Sequence, residues 1–269
     1  MILDETMGLL QKLYGEELAA IRIERIVIGL FFTGVKLSNG AGGVAYTPKD
    51  ELSVATCCPA MAVMGETRAS FKGMDVGEAF RRATDSPLAG LVALTVMNAL
   101  STRFIDADRY RVIYDTDVLD LIDFNRAGKI GMVGAFGPFL KRIKNMPGVD
   151  LTVIERKKES LRQDEMHFYA PAEEASVILP ACHTAILTGS SIANGTIEEL
   201  LSFTRPGAAV IVTGPTASML PEALFARNAT IVSGVQVTDP DLALDIVSEG
   251  LGAYHLFDTC VRKLNIIRD

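Results

Sequence analysis

Several clusters in this chain have the residue types and spacing for chemistry. The first is VGAFGP, from Val133 to Pro138. A glycine after a parallel strand allows a tight turn, and the backbone N–H groups beyond it can meet an anion. Gly131, Gly134 and Gly137 stand three apart, so a G-x-G-x-x-G pattern fits in neither register. One register leaves Met132 in place of its first glycine. The other puts Phe136 at the second, where a ring obstructs a pyrophosphate. A dinucleotide loop and a turn that only closes a strand–helix unit both stay open. Glu155 follows Gly134 by 21 residues, where a carboxylate grips ribose hydroxyls in dinucleotide and S-adenosylmethionine folds. It reads equally as an exposed charge ahead of the solvated run Arg156, Lys157, Lys158.

Two further clusters follow apolar runs: Thr188-Gly189-Ser190-Ser191 and Gly214-Pro215-Thr216. In an open parallel sheet, ligands bind beyond the carboxyl ends of the strands. Small hydroxyl residues and backbone N–H groups there suit a carboxylate, phosphate or hydroxyl-bearing ligand. Ser190 and Thr216 are read as ligand contacts, and Thr196 as a helix cap. From the amino-terminal part, Asn39, Gly40, Gly42 and Gly43 read as a flexible loop. Tyr46 and Thr47 carry hydroxyls. Asn98 is an amide in an apolar helix, obliged by burial to find hydrogen bonds with a ligand or a neighbouring backbone.

Metal ligation and nucleophilic catalysis have thin support. There is no C-x-x-C, H-x-x-x-H, H-E-x-x-H or G-x-S-x-G. Cys57 and Cys58 are adjacent, so their side chains diverge, and a lone buried cysteine is usually a small hydrophobe. Cys182 and His183 precede an apolar run and are expected at its amino end, away from any cleft. His167 and His255 stand alone. No protein-only metal site is expected, no catalytic residue is assigned and no cofactor is read.

These residues need a scaffold. From Gly131 onward, apolar runs alternate with helical patterns: Ile130–Val133, Leu151–Ile154, Ala185–Thr188, Ala209–Thr213 and Thr230–Ser233. They lack polar alternation, as strands buried on both faces do. Helices are expected from Pro138, after Thr196 with a Thr196–Glu199 capping box, from Pro221, and over Pro240–Glu249 capped by Thr238 or Asp239. That alternation predicts a doubly wound α/β domain. The preceding residues read as a helix over Leu3–Leu18, a strand over Ile26–Leu37 and a turn at SNGAGG. An antiparallel return over Val44–Thr47 and helices over Asp75–Ala83 and Leu88–Leu100 complete a small α+β unit. A short amphipathic helix in DVLDLIDF is expected at the join between Asp115 and Gly128.

The 269 residues suit one large domain or two modest ones. With 49% hydrophobic and 22% charged residues, wholesale disorder is excluded. Twenty-six basic against 33 acidic side chains leave a net charge of −7, which disfavours a nucleic-acid binder. Acids in MILDETMGLL stand where a secretory signal needs basic residues, and the uncharged Ala175–Ile197 is broken by Pro180, His183 and Asn194. Neither signal peptide nor membrane span is expected. Four cysteines give no disulfide framework, so a reducing cytoplasm is the expected compartment.

KIGMVGAFGPFL at Lys129–Leu140, IER at Ile154–Arg156, ILTGSSIANGTIEELL at Ile186–Leu201 and VTGPTASMLPEALF at Val212–Phe225 together resemble a known family. GGVAYTP at Gly42–Pro48 and MNALS at Met97–Ser101 extend the likeness over nearly the whole chain. It is similar to the bacterial and archaeal family named for "putative heavy-metal chelation". The resemblance implies an enolase amino-terminal-like α+β domain, residues 1–112, followed by a Rossmann-like α/β domain, residues 113–269, with a site in the cleft between them. The expected function is binding of a small polar, anionic metabolite, free or as a metal chelate, with a role in heavy-metal chelation or homeostasis. Gly134, Phe136, Glu155, Gly189, Ser190, Gly214, Pro215 and Thr216 are expected to line the site, with Asn39, Tyr46, Thr47 and Asn98 opposite. The expected partner is that small molecule, with neither nucleic acid nor membrane; a homodimer agrees with base rates. The rival reading is a nucleotide-cofactor enzyme, an NAD-dependent dehydrogenase or an S-adenosylmethionine-dependent methyltransferase. A structural or regulatory subunit is the third.

Overall fold

The computed structural model describes residues 1–52, 70–124, 128–257 and 259–268. Near its start, β1 (Ile23–Ile28), β2 (Phe32–Leu37) and β3 (Gly42–Tyr46) form an antiparallel meander in the order β1-β2-β3. The single strand expected over Ile26–Leu37 is therefore two, because the chain reverses between them. The N–H of Gly29 donates to the Phe32 carbonyl at 2.9 Å, and a Cβ at Gly29 would collide with the Val247 carbonyl.

Gly42 and Gly43, expected in a flexible loop, are instead the first residues of β3. Only Gly40 of that group has a positive φ, +84°. Successive strand residues face opposite sides of a sheet, and both sides here meet a helix at close range. A Cβ on Gly43 would strike Thr95 and Ala99 of the helix Pro87–Ser101. One on Gly42 would strike Pro240 and Val237, and one on Gly34 would strike Leu244. The meander is thus clamped between Pro87–Ser101 and Pro240–Ser248. The first of these helices is buried nearly all round and is capped by Ser86; the second is capped by Asp239, which accepts from Leu242 N–H at 3.1 Å.

The larger sheet has eight strands. They are β4 (Arg111–Tyr114), β5 (Lys129–Val133), β6 (Asp150–Glu155), β7 (Tyr169–Pro171), β8 (Thr184–Thr188), β9 (Ala209–Thr213), β10 (Ile231–Val237) and β11 (Val261–Ile267). Their order is β4-β11-β10-β9-β8-β5-β6-β7. The six strands from β10 to β7 are parallel, and β11 runs antiparallel to both β10 and β4. After β4 at the far edge, the chain enters the parallel part at β5, moves outward through β6 and β7, then crosses back to build β8, β9 and β10. This is the 3-2-1-4-5-6 winding of a doubly wound α/β sheet, with its reversal between β5 and β8. Alternate residues feed two cores: Ala185 and Leu187 pack on one face, Ile186 on the other, and Val210, Val212 and Ile211 repeat the pattern.

Several local expectations are corrected. Thr196 makes no side-chain cap; its hydroxyl donates to Asn194 Oδ1 at 2.8 Å instead. The helix after Pro221 is the single turn Glu222–Phe225. DVLDLIDF contains a 3₁₀ turn, Val118–Leu121, capped by Asp117. Among the described residues no helix is long and apolar enough to cross a membrane.

Candidate functional site

A cleft of about 830 Å³ opens at the carboxyl ends of β5, β6 and β8, at the winding reversal. Gly134 leaves β5 at φ +96°, and a Cβ there would stand 3.2 Å from the Thr188 Cβ. Glycine is required because the turn is left-handed and β8 is close behind it. Phe136 lies over Phe139 with ring centroids 5.1 Å apart and planes 26° apart, forming an apolar wall. The helix Gly137–Ile143 follows, with Pro138 in its first turn.

Glu155 ends β6 on the cleft wall, but its carboxylate is engaged by the chain itself. Oε2 accepts from Ala135 N–H at 3.0 Å. Oε1 accepts from the N–H groups of Arg156 at 2.8 Å and Lys157 at 3.2 Å. The side chain therefore ties the end of β6 to the loop after β5. From β8, Thr188 Oγ1 and Ser190 Oγ lie 2.9 Å apart, and Ser191 Oγ donates to the Thr188 carbonyl at 2.5 Å. Beyond them Asn194 and Thr196 reach the cleft, with Glu173 and Glu199 on other walls. The amino-terminal meander closes the space with Tyr46 and Pro48.

The structure thus brings Gly134, Phe136, Glu155, Ser190 and Tyr46 to one cavity. The other sequence candidates stand elsewhere. Thr216 is buried, and its Oγ1 accepts from Tyr46 N–H at 2.9 Å. Asn98 is fully buried. Its Nδ2 donates to Val44 O at 2.8 Å and Thr216 O at 3.2 Å, with Pro215 O at 3.4 Å, while Oδ1 has no partner. These two side chains fasten β3 to the turn after β9, behind the Tyr46 wall. Gly214 in that turn has φ 124° and ψ 163°, a region essentially closed to other residues. Gly189 lets the turns after β8 and β9 touch, since a Cβ would stand 3.1 Å from Ala217 N. Thr47 pairs with Thr33 inside the meander at 3.0 Å, and exposed Asn39 folds onto Ala41 N–H at 3.1 Å.

Sequence reasoning did not single out Arg156, Lys157, Glu173, Asn194 or Glu199, all of which line the cleft. The sequence reads Arg156 and Lys157 as a solvated run. Their placement beside Glu155 at the end of β6 was the available signal.

Among the described residues, no three His, Cys, Asp or Glu side chains converge as metal ligands, so these donors do not fit a resident metal centre. Cys57 and Cys58 lie outside the described residues. Cys182 is buried just before β8, with Sγ against Gly131, and burial pushes its thiol pKa up. It is at the end of the strand remote from the cleft.

Residues 117–266 match a family described as "putative heavy-metal chelation". The chain belongs to this family. Residues 12–101 match a second family with the same description. The fold is shared over 100% of both chains with a crystal structure of a protein of unknown function from Pyrococcus horikoshii, at 23% identity and TM-score 0.79. A second protein of unknown function, from Desulfitobacterium hafniense, gives 18% identity and TM-score 0.72 over 98% of this chain and 99% of that one. Both belong to the DUF364 family, and both likenesses concern fold. An uncharacterized protein of Methanocaldococcus jannaschii is 28% identical over 116 residues. That match spans 43% of each chain, so less than half of the relative is covered.

Proposed function

We propose that this protein binds a small polar metabolite bearing anionic groups, in the cleft between the β5–β8 reversal and Tyr46, and that the metabolite is carried as a metal chelate. The carrying observation is the cleft's position: about 830 Å³ at the carboxyl ends of the strands where the winding reverses, the usual ligand seat of such sheets. The lining chemistry supports the reading. Arg156 and Lys157 can meet carboxylates, Ser190 and Tyr46 can hydrogen-bond hydroxyls, and Glu173 and Glu199 suit a cationic centre. A chelate presents both signs of charge, and its metal arrives as cargo with ligands of its own. In this reading the residues before β4 act as the cap, β4 and the residues after it as the α/β unit, and the protein works in a reducing cytoplasm.

Native mass spectrometry of gently purified full chain, repeated after denaturation, tests the reading. A stoichiometric metal–organic mass released on denaturation is the expected result. A released dinucleotide or adenosyl compound would contradict it and put a nucleotide-cofactor enzyme in its place.

A further inference from the structure

Three backbone N–H groups converge on one carboxylate at the edge of the cleft: those of Ala135, Arg156 and Lys157, on Glu155. Convergent backbone donors of this kind form an anion-binding concavity, and in dinucleotide-binding sheets the loop after the first strand meets the ligand's phosphates. Here the chain supplies the anion itself. Glu155 sits where a carboxylate would reach ribose, yet its oxygens turn back onto the loop, and Phe136, stacked on Phe139, lines the cleft beside it.

We infer that Glu155 is a built-in anion that fills this three-donor seat and sets the cleft's selectivity against phosphorylated ligands, nucleotides included. The inference rests on the cleft being the binding site, as proposed above. A fixed negative charge repels an incoming phosphate, and donors already engaged are not available to it. What remains on Glu155 toward the cleft is acceptor capacity, since a carboxylate has about four lone-pair sites. The ligand group placed there must therefore donate hydrogen bonds or carry positive charge. The metabolite's own anionic groups are directed to Arg156 and Lys157 instead.

Removing the carboxylate exposes the seat. Full-length wild type, Glu155→Ala and Glu155→Gln are titrated with inorganic pyrophosphate at constant ionic strength, by calorimetry and by thermal unfolding. Glu155→Ala is expected to bind pyrophosphate about tenfold or more tightly than wild type, the worth of roughly one charge-assisted hydrogen bond. Its melting temperature rises saturably with the anion while the wild type follows the salt control. Glu155→Gln keeps a neutral acceptor on the seat and is expected to show a smaller gain. Should the alanine variant not fold, the glutamine variant carries the test, and no gain in it overturns the inference. Equal affinity in wild type and Glu155→Ala also overturns it, as does pyrophosphate binding by wild type that Glu155→Ala abolishes. None of these outcomes touches the metabolite reading, because the probe is pyrophosphate; that reading stands or falls on the mass released from wild type.

Discussion

The hydroxyl of Thr216 accepts a hydrogen bond from the backbone N–H of Tyr46 at 2.9 Å, and so joins the turn after β9 to the last residue of β3. One face of Tyr46 belongs to the cleft, while its backbone is held from behind. Thr216→Val keeps the shape and removes the acceptor, leaving the Tyr46 N–H without it. A loss of about 1–2 kcal/mol is expected in urea unfolding. Thr216→Ser should recover most of that loss. Equal stability of the valine variant and wild type would show that this bond does not hold the wall.

Asn98 makes a sharper demand on charge. Its amide nitrogen faces the carbonyls of Val44 and Thr216 in a fully buried site. Asn98→Asp places an acceptor-only group against those oxygens at neutral pH. The variant is expected to be destabilised by several kcal/mol at pH 7, and less so near pH 4, where the protonated carboxyl can donate. Urea midpoints of wild type and variant across that range read the difference directly. A gap independent of pH would contradict the placement of Nδ2 against the carbonyls.

How far the sequence leads depends on where each residue's partner lies. Apolar runs such as Ile130–Val133 and Ala209–Thr213 announce strands buried on both faces, and the doubly wound class follows from them. β11 escapes this signal because VRKLNII mixes Arg262, Lys263 and Asn265 into its apolar residues, as an antiparallel strand next to the sheet edge permits. β7 is three residues long and includes Pro171, which a sheet tolerates at its edge. At Gly42 and Gly43 the signal is real but ambiguous: a glycine pair serves a mobile loop and a strand pressed between two helices alike. For the site, strand ends point to Gly134 and Ser190 from sequence alone. The roles of Thr216 and Asn98 depend on backbone groups 170 and 54 residues away, which no local spacing encodes.

Gly134 is the least replaceable residue of the β5 loop. Gly134→Ala forces a side chain into φ +96° and sets a Cβ 3.2 Å from that of Thr188. Strain of about 1–3 kcal/mol is expected, read as a lower urea midpoint. Because the loop carries Ala135 and Phe136, ligand capture should fall with it. A variant of unchanged stability would show that the loop adopts another conformation.

Away from the cleft, Glu165 supplies a pH signature. Lys144 donates to its Oε1 at 2.9 Å, and Arg162 N–H to its Oε2 at 3.1 Å; together they hold its pKa below the ordinary glutamate value, the Lys144 bond contributing most. A carboxyl whose folded pKa is depressed contributes stability that is complete above its unfolded pKa of about 4.3 and lost as pH falls through the folded value. Glu165→Gln is expected to cost about 1 kcal/mol at pH 7, with a narrower gap at pH 4, where the unfolded carboxyl is already partly protonated. Urea unfolding at both pH values checks the sign; a gap that widens in acid would refute it.

The central claim is that the cleft at the β5–β8 reversal holds the ligand. Ser190 stands on its wall beside Thr188, so Ser190→Phe fills the space with a ring while leaving the sheet intact. The most direct measurement is native mass spectrometry of this variant and wild type, purified side by side, with circular dichroism to confirm equal folding. The account predicts a stoichiometric metal–organic mass on wild type and bare protein for the variant. The same mass retained in full by a folded Ser190→Phe would place the ligand elsewhere on the molecule and contradict the claim.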